Sequence, residues 1–162
     1  MSTPPWSIRI TLAEQRLELL RGGAAFKSYA ISTSKHGAGE RAGSYQTPRG
    51  AHVIRAKIGD CAPLGAVFRG RRPTGEIYSE ELARAYPGRD WILTRILWLS
   101  GLEVGRNRLG DVDTMRRYIY IHGTPDSTTL GSPNSIGCVR MRYAAVVELF
   151  DLVPTGTGVE IA

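Results

Sequence analysis

The sequence predicts a mainly β fold: a β-sandwich or partly open barrel with one C-terminal helix and an insert of loops and a short helix. Its 162 residues suit one hydrophobic core, so residues 1–162 are expected to form a single domain. Nineteen glycines exceed the roughly 7% usual in proteins and favour short strands joined by turns. The composition, 42% hydrophobic and 22% charged, is that of an ordinary soluble globular protein.

The first third of the chain alternates apolar and polar residues in short stretches, which is typical of strands. Four strands are predicted, at residues 8–12, 16–20, 26–33 and 51–56. Residues 13–15 form a turn, so the first two strands are expected to pair as a hairpin. The third strand ends at the glycine-rich residues 34–39, and the fourth follows Pro48 and Gly50.

The segment from residue 60 to residue 88 breaks this alternation. Proline and glycine punctuate residues 61–65 and 71–75, which we predict to be loops. Residues 79–86 are predicted to form a short helix, with Ser79 as its N-cap and an acidic first turn. Segments 60–88 and 101–113 are expected either to form a lid and rim over a cleft or to be solvent-facing connections.

The second half returns to longer apolar stretches. Residues 91–99 predict a long strand, and residues 118–121 predict a strand that ends where it delivers His122. Residues 143–152 are apolar at helical spacing and stop before Pro154, so they predict the C-terminal helix. Residues 159–161 form a last strand.

The charge of the chain is positive, at +6 with a pI near 9.7. Arginine is concentrated at residues 69–72 and 116–117, stretches too short for a nucleic-acid-binding tail. No nucleic-acid-binding motif accompanies them, so no nucleic-acid partner is expected. The charge either keeps the domain soluble or suits a substrate that bears several carboxylates.

The N-terminal residues carry no secretory signal peptide, because no basic start precedes a long apolar core. No apolar run reaches the roughly 20 residues that a membrane span needs, so no membrane partner is expected. We therefore expect a cytoplasmic protein, or a periplasmic one if the chain has been trimmed. The oligomeric state is left open.

His122 and Cys138 are the residues best suited to chemistry. A thiolate is the nucleophilic form of cysteine, and a free cysteine of pKa about 8.5 is mostly protonated at neutral pH. A neighbouring imidazole can take that proton. Gly137 allows the backbone to approach a reacting carbon, and its N–H with that of Cys138 can face a developing oxyanion. The alternatives are a small buried cysteine and a structural histidine.

The other possible roles of these groups are less well supported. A disulfide between Cys61 and Cys138 would block the nucleophile and is not expected in a reducing compartment. No ligand spacing links the histidines and cysteines, so neither a metal nor another cofactor is predicted.

Several segments together resemble the L,D-transpeptidase catalytic domain (YkuD-type) family. The active-site signature of that family resembles His122-Gly123-Thr124 followed by Ser135-Ile136-Gly137-Cys138-Val139-Arg140-Met141. Thr47-Pro48-Arg49-Gly50 is similar to the TPxG segment of the family, and residues 151–161 are similar to its last helix exit and strand. The resemblance covers most of the chain, with residues 63–113 the least recognisable part.

The resemblance implies the same β fold and assigns the site residues. Cys138 is implied as the nucleophile and His122 as the general base, with the carbonyl of Gly123 orienting the imidazole. Arg140, Ser135 and Thr124 are taken as substrate-binding residues. For Arg140 the alternative is a salt-bridged arginine that shapes the loop, and for Ser135 it is a hydrogen bond within the loop or an ordinary turn.

The implied substrate is a murein (peptidoglycan) tetrapeptide stem or muropeptide, cleaved between its third residue, typically meso-diaminopimelate, and D-Ala through a Cys138 thioester. Because the chain is expected in the cytoplasm, hydrolysis by an L,D-carboxypeptidase in murein recycling is favoured over transpeptidation, which forms cross-links or exchanges D-amino acids. The family most often has a histidine where this chain has Ile136, which indicates a different acceptor preference. A non-catalytic murein-binding module is the alternative from another class.

Overall fold

The computed structural model describes residues 5–162, which form one ten-stranded sheet curled into a half-barrel. The strands are β1 (Trp6–Thr11), β2 (Arg16–Arg21), β3 (Ala24–Ala30), β4 (Gly50–Ile58), β5 (Ala66–Arg69), β6 (Arg72–Ile77), β7 (Ile92–Gly101), β8 (Tyr120–Thr124), β9 (Val139–Arg142) and β10 (Gly158–Ile161). The helices are α1 (Glu80–Ala85), α2 (Tyr143–Leu152) and a 3-10 turn at Gly110–Val112.

The sheet branches at β7. Its strand order is β3-β2-β1-β10-β4-β7-β5-β6, so β4 and β5 follow each other along one edge of β7. Strand β8 pairs with the other edge of β7, and β9 pairs with β8 in parallel. Beyond β3, Ser32 exchanges two backbone hydrogen bonds of 2.9 Å with Arg140 of β9. These bonds join the far ends of the sheet and partly close the barrel.

Helix α2 packs across β7, β8 and β9. Its buried side chains are Val146, Leu149 and Phe150, at the i, i+3, i+4 spacing that places them on one helix face. They join the main apolar cluster, to which most strands of the sheet contribute. At the C-terminal end of the helix, Lys57 donates to the carbonyls of Phe150 (2.6 Å) and Val153 (2.8 Å). Through its packing on β8 and β9, the helix supports the two strands that position the candidate site.

Most of the predicted elements are present. The fold class is confirmed, with the partly open barrel as the architecture, and β1 and β2 form the expected antiparallel hairpin. Helix α2 has the predicted bounds. Helix α1 has the predicted cap, because the Ser79 hydroxyl accepts from the N–H of Leu82 at 3.0 Å.

Two predictions about strands are wrong. Residues 71–75, predicted as a loop, lie mostly in β6, which pairs with β5 as a hairpin. Proline is tolerated there because β6 is the last strand of the sheet order and one of its edges needs no ladder hydrogen bonds. The strand expected to end before His122 continues to Thr124, and the short strand β9 after Cys138 was not predicted.

No helix among residues 5–162 is long and apolar enough to cross a membrane.

Candidate active site

The register of β8 and β9 brings the two reactive side chains to one face of the sheet. In this parallel pair Ile121 lies beside Val139, and both are fully buried in the core. Because side chains alternate along a strand, the neighbouring pair of His122 and Arg140 points to the opposite face. Cys138 immediately precedes β9 and shares that face. The sheet therefore places the imidazole in β8 and the thiol at the start of the neighbouring strand, just before β9.

The imidazole of His122 is held in one orientation. Its Nδ1 lies 2.8 Å from the carbonyl oxygen of Gly123, the contact that the family resemblance implies. A carbonyl only accepts, so Nδ1 carries the proton and Nε2 is the unprotonated nitrogen. Nε2 is buried and has no hydrogen-bond partner within residues 5–162. Burial lowers the pKa of His122, so the ring is a neutral base.

Close packing explains the glycine beside this histidine. An added Cβ at Gly123 would overlap the carbonyl oxygen of Leu93 in β7 and lie 2.8 Å from the Cα of Tyr143 in α2. The backbone of β8 is thus wedged between a strand and a helix. This packing fixes the carbonyl that orients His122.

The thiol of Cys138 is half-buried and has two backbone neighbours. Its Sγ lies 3.4 Å from the N–H of Tyr120 and 3.4 Å from the carbonyl of Tyr118. Burial raises the pKa of Cys138 to about 12, although the Tyr120 N–H and the guanidinium groups of Arg140 and Arg117 act in the opposite direction. Cys138 and Cys61 are both free of disulfide bonds. Burial thus favours the neutral thiol and the neutral imidazole.

The turn before Cys138 is built around the hydroxyl of Ser135, which is 1% exposed. This hydroxyl donates to the carbonyl of Cys138 at 2.6 Å and accepts from the N–H of Gly137 at 3.2 Å. Gly137 has a φ of +136°, a conformation that favours glycine. Its carbonyl accepts from the Thr47 hydroxyl at 2.9 Å. Side-chain oxygens on both sides of the turn thus hold its shape.

Three of the expected site residues have polar groups that are already engaged within the protein. The hydroxyl of Ser135 is enclosed and makes its hydrogen bonds within the turn, which is the alternative stated for it above. The N–H of Gly137 is already donated to Ser135, so it is not a free oxyanion donor. The N–H of Cys138 has no partner among residues 5–162 and is left as the available donor. Thr124 is 2% exposed, and its hydroxyl lies 2.9 Å from that of Thr128.

Arg140 makes the contacts of a loop-shaping arginine. Its Nη2 donates to Asp90 Oδ1 at 2.7 Å and its Nη1 to the Asn134 carbonyl at 3.2 Å. Asp90 lies in the connection from α1 to β7, and the sequence reasoning missed it. An isolated aspartate in a polar turn gives no sequence pattern that would indicate a role in the site. Its negative charge raises the pKa of both His122 and Cys138.

Comparison with known proteins identifies the family of the chain. The sequence model of the family described as "YkuD: L,D-transpeptidase catalytic domain" matches residues 5–161. The chain belongs to this family. Two relatives named "Putative L,D-transpeptidase YkuD", from Bacillus licheniformis and Bacillus subtilis, are 28% and 26% identical over 159 residues. Each match covers 98% of this chain and 67% of the relative.

Solved L,D-transpeptidases share the fold. L,D-transpeptidase 3 from Mycobacterium tuberculosis matches with a TM-score of 0.61 and 13% identity over 98% of this chain and 61% of its own. The L,D-transpeptidase from Xylanimonas cellulosilytica matches with a TM-score of 0.55 and 20% identity over 99% and 62%. This chain thus spans about three fifths of the length of each of these two solved chains.

Two cavities of this L,D-transpeptidase domain are lined by neighbours of the candidate site, Asp90 in one and Ile136 in the other. The larger, of about 1020 Å³, lies between the β5–β6 hairpin and the connection from α1 to β7, and Asp90 lines it. The smaller, of about 220 Å³, lies on the side of Ile136, against Tyr45 and Arg117. The segment 60–88 thus contributes a wall beside the site. The segment 101–113 instead borders a separate groove with β4 and β7.

Proposed function

We propose that the protein is a cysteine-dependent acyl-transfer enzyme that acts on murein tetrapeptide stems. The bond cleaved joins the third residue of the stem, typically meso-diaminopimelate, to the terminal D-Ala. One observation carries the chemistry: a buried, unpartnered His122 Nε2 shares a sheet face with the Cys138 thiol, and Nδ1 is anchored on Gly123. The substrate class rests on membership of the L,D-transpeptidase family.

In the first half-reaction Cys138 Sγ attacks the carbonyl carbon of the third stem residue. His122 Nε2 takes the thiol proton, and the carbonyl π electrons move to its oxygen, which the N–H of Cys138 stabilises. The oxyanion then collapses and the C–N bond breaks. The proton on His122 passes to the departing amine, so D-Ala leaves and the tripeptide remains on Cys138 as a thioester.

The protonation states of Cys138 and His122 in the free enzyme determine the step at which the thiol proton is transferred. Burial raises the pKa of Cys138 to about 12 and lowers that of His122, so an imidazolium–thiolate pair is not the resting state. Proton transfer therefore accompanies attack on a bound carbonyl, when charge passes on to the oxyanion. The free enzyme is expected to react slowly with alkylating reagents at neutral pH.

For the second half-reaction we propose hydrolysis, which makes the enzyme an L,D-carboxypeptidase. Water needs no docking surface, whereas an acceptor stem must be bound through polar groups near the thioester. Ile136, beside the thiol-bearing turn, is 48% exposed and offers only an aliphatic side chain where the family most often has a histidine. Attack by an acceptor amine, which would form a cross-link or exchange a D-amino acid, is the competing outcome.

The test is incubation with a disaccharide-tetrapeptide, with and without an added D-amino acid, followed by mass spectrometry. Release of one D-Ala by water alone is the expected result, and Cys138→Ala abolishes it. Cys61→Ala is the matched control, because Cys61 is the other free cysteine and is exposed. Exchange or dimer formation without net hydrolysis would make the enzyme a transpeptidase. Full affinity for the stem in both variants, without any turnover in the native protein, would leave only a murein-binding module.

A further inference from the structure

Asp90 lies in the chain before β7, yet its carboxylate reaches the face of β8 and β9 that holds the reactive pair. Leu93 of β7 pairs with Gly123 of β8, so the start of β7 runs beside the end of the strand that carries His122. The Asp90 carboxylate binds Arg140, which is the residue paired with His122 across β8 and β9. Asp90 thus approaches the site from the connection that precedes β7.

Among the ion pairs of residues 5–162, the Asp90–Arg140 pair has the most buried cation, while the Asp90 side chain itself is 43% exposed. The guanidinium side chain of Arg140 is 15% exposed, whereas that of Arg142, two residues further along β9, is 48% exposed beside Asp126. The N···O separations are 2.7 Å and 3.7 Å respectively. Because the Arg140 end of the pair is largely buried and the contact is at hydrogen-bond distance, solvent screens this pair less than the pair of Arg142 and Asp126.

The charges that act on His122 are those of Asp90, just before β7, and of Arg140 in β9. Near Cys138 lie the same two charges and Arg117, with Tyr120 of β8 beside the sulfur. Asp90 is the one carboxylate that acts on both reactive groups within the described residues 5–162. It favours a proton on the imidazole and disfavours its loss from the thiol.

We infer that Asp90 is a positioning residue of the acyl-transfer reaction, which holds Arg140 against the active-site turn and stabilises the imidazolium that His122 becomes when it accepts the thiol proton. The inference rests on the proposed function, because it assigns a role within that reaction. In this arrangement the Gly123 carbonyl orients the ring and the Asp90 carboxylate supplies the negative charge. In a Ser-His-Asp triad one aspartate both orients the histidine and stabilises its charged form. Here the Gly123 carbonyl in β8 would do the first and Asp90, just before β7, the second.

Two roles for Asp90 predict different pH behaviour. If it acts by charge, Asp90→Asn makes the imidazole harder to protonate and the thiol easier to deprotonate. The acidic limb of the activity profile and the thiol titration then both move to lower pH, by about 0.5–1 unit for the loss of one nearby charge. If it only braces the turn, the rate falls and neither limb moves. Asparagine keeps an oxygen that can accept from Arg140, which favours an intact turn.

The experiment uses Cys61→Ser as the background, so that Cys138 is the only thiol. The release of D-Ala from a disaccharide-tetrapeptide is measured from pH 5 to pH 11. The alkylation rate constant of Cys138 with iodoacetamide is measured over the same range, which lies below the thiol pKa of about 12, so a lower pKa appears as faster alkylation at a given pH. Asp90→Asn is compared with Asp126→Asn, which removes a carboxylate from the neighbouring exposed pair with Arg142. Circular dichroism and the Tm of each variant establish that it is folded.

The expected result is a shift of both profiles to lower pH in Asp90→Asn, with kcat for D-Ala release several-fold lower and no shift in Asp126→Asn. Superimposable profiles for the native residue and Asp90→Asn would overturn the inference, whatever the rates. Alkylation needs no murein substrate, so the two failures can be told apart. If no D-Ala is released by any variant, the proposed function fails, and the alkylation profiles still decide whether Asp90 tunes the pair. If Asp90→Asn does not fold, the same comparison is made with Asp90→Glu, which retains the charge and must retain the native profiles.

Discussion

Replacing Ser135 by alanine removes one oxygen atom from the turn that carries Cys138. That oxygen donates to the Cys138 carbonyl at 2.6 Å and accepts from the Gly137 N–H at 3.2 Å, and the residue is 1% exposed. Water has little access to replace it, so alanine leaves a buried carbonyl and a buried N–H without partners. The change therefore perturbs the turn without altering either reactive side chain.

The size of the effect follows from these two groups. An unsatisfied buried polar group costs about 1–3 kcal/mol, and two adjacent ones are not independent, so Ser135→Ala is expected to lower the free energy of unfolding by about 2–4 kcal/mol. For a domain of this length that is a fall in Tm of about 5–12 °C. Displacement of Cys138 from its position near His122 is expected to lower kcat about 10- to 100-fold, with KM little changed.

Thermal unfolding and the kinetics of D-Ala release measure the two effects. Ser127→Ala is the matched control, because Ser127 is exposed in the same connection between β8 and β9. A direct substrate contact through Ser135 would instead raise KM and leave the Tm within about 1 °C of the native value. That pattern would refute the assignment of the hydroxyl to the shape of the turn.

Two further predictions concern stability. Lys57→Met keeps the apolar stem but leaves two carbonyls at the C-terminal end of α2 without a charged donor. We expect the free energy of unfolding, measured with denaturant, to fall by about 1–2 kcal/mol. Lys35→Met, at an exposed lysine, is the control and is expected to cause no measurable change. Burial lowers the pKa of both His52 and His122 in the folded state. Below about pH 6.5 the unfolded chain therefore binds more protons than the folded one, and the free energy of unfolding decreases as the pH is lowered. The Tm is therefore expected to decrease from pH 7 to pH 5, and a Tm that is flat or rising over this range would contradict the buried neutral state of these rings.

Local patterns in the sequence were enough for most of the secondary structure. The alternation that predicted the first hairpin reflects one buried face of β1 and β2, and the spacing of residues 143–152 reflects the buried face of α2. The prediction failed where the sheet context overrode the local signal. A proline at residue 73 indicates a loop on its own, but an edge strand accommodates it.

The candidate site divides in the same way. The types and order of His122 and Cys138 are visible in the sequence because the chemistry of thiol acylation restricts which residues can perform it. Their presence on one face depends on β9, a strand of four residues whose pairing with β8 no local pattern predicted. The roles of the residues around them depended on contacts that the folded chain alone defines.

The sequence by itself therefore determined the turn-rich β class and the C-terminal helix and supplied the two candidate reactive residues, since these follow from short periodicities and from side-chain chemistry. Only the tertiary structure decided that Ser135 is enclosed in the turn and that the Gly137 N–H is engaged. It also decided that Asp90, 50 residues before Arg140 in the chain, reaches the site. The physical reason is that hydrogen bonding and burial depend on neighbours in space, and a β sheet recruits those neighbours from distant parts of the chain.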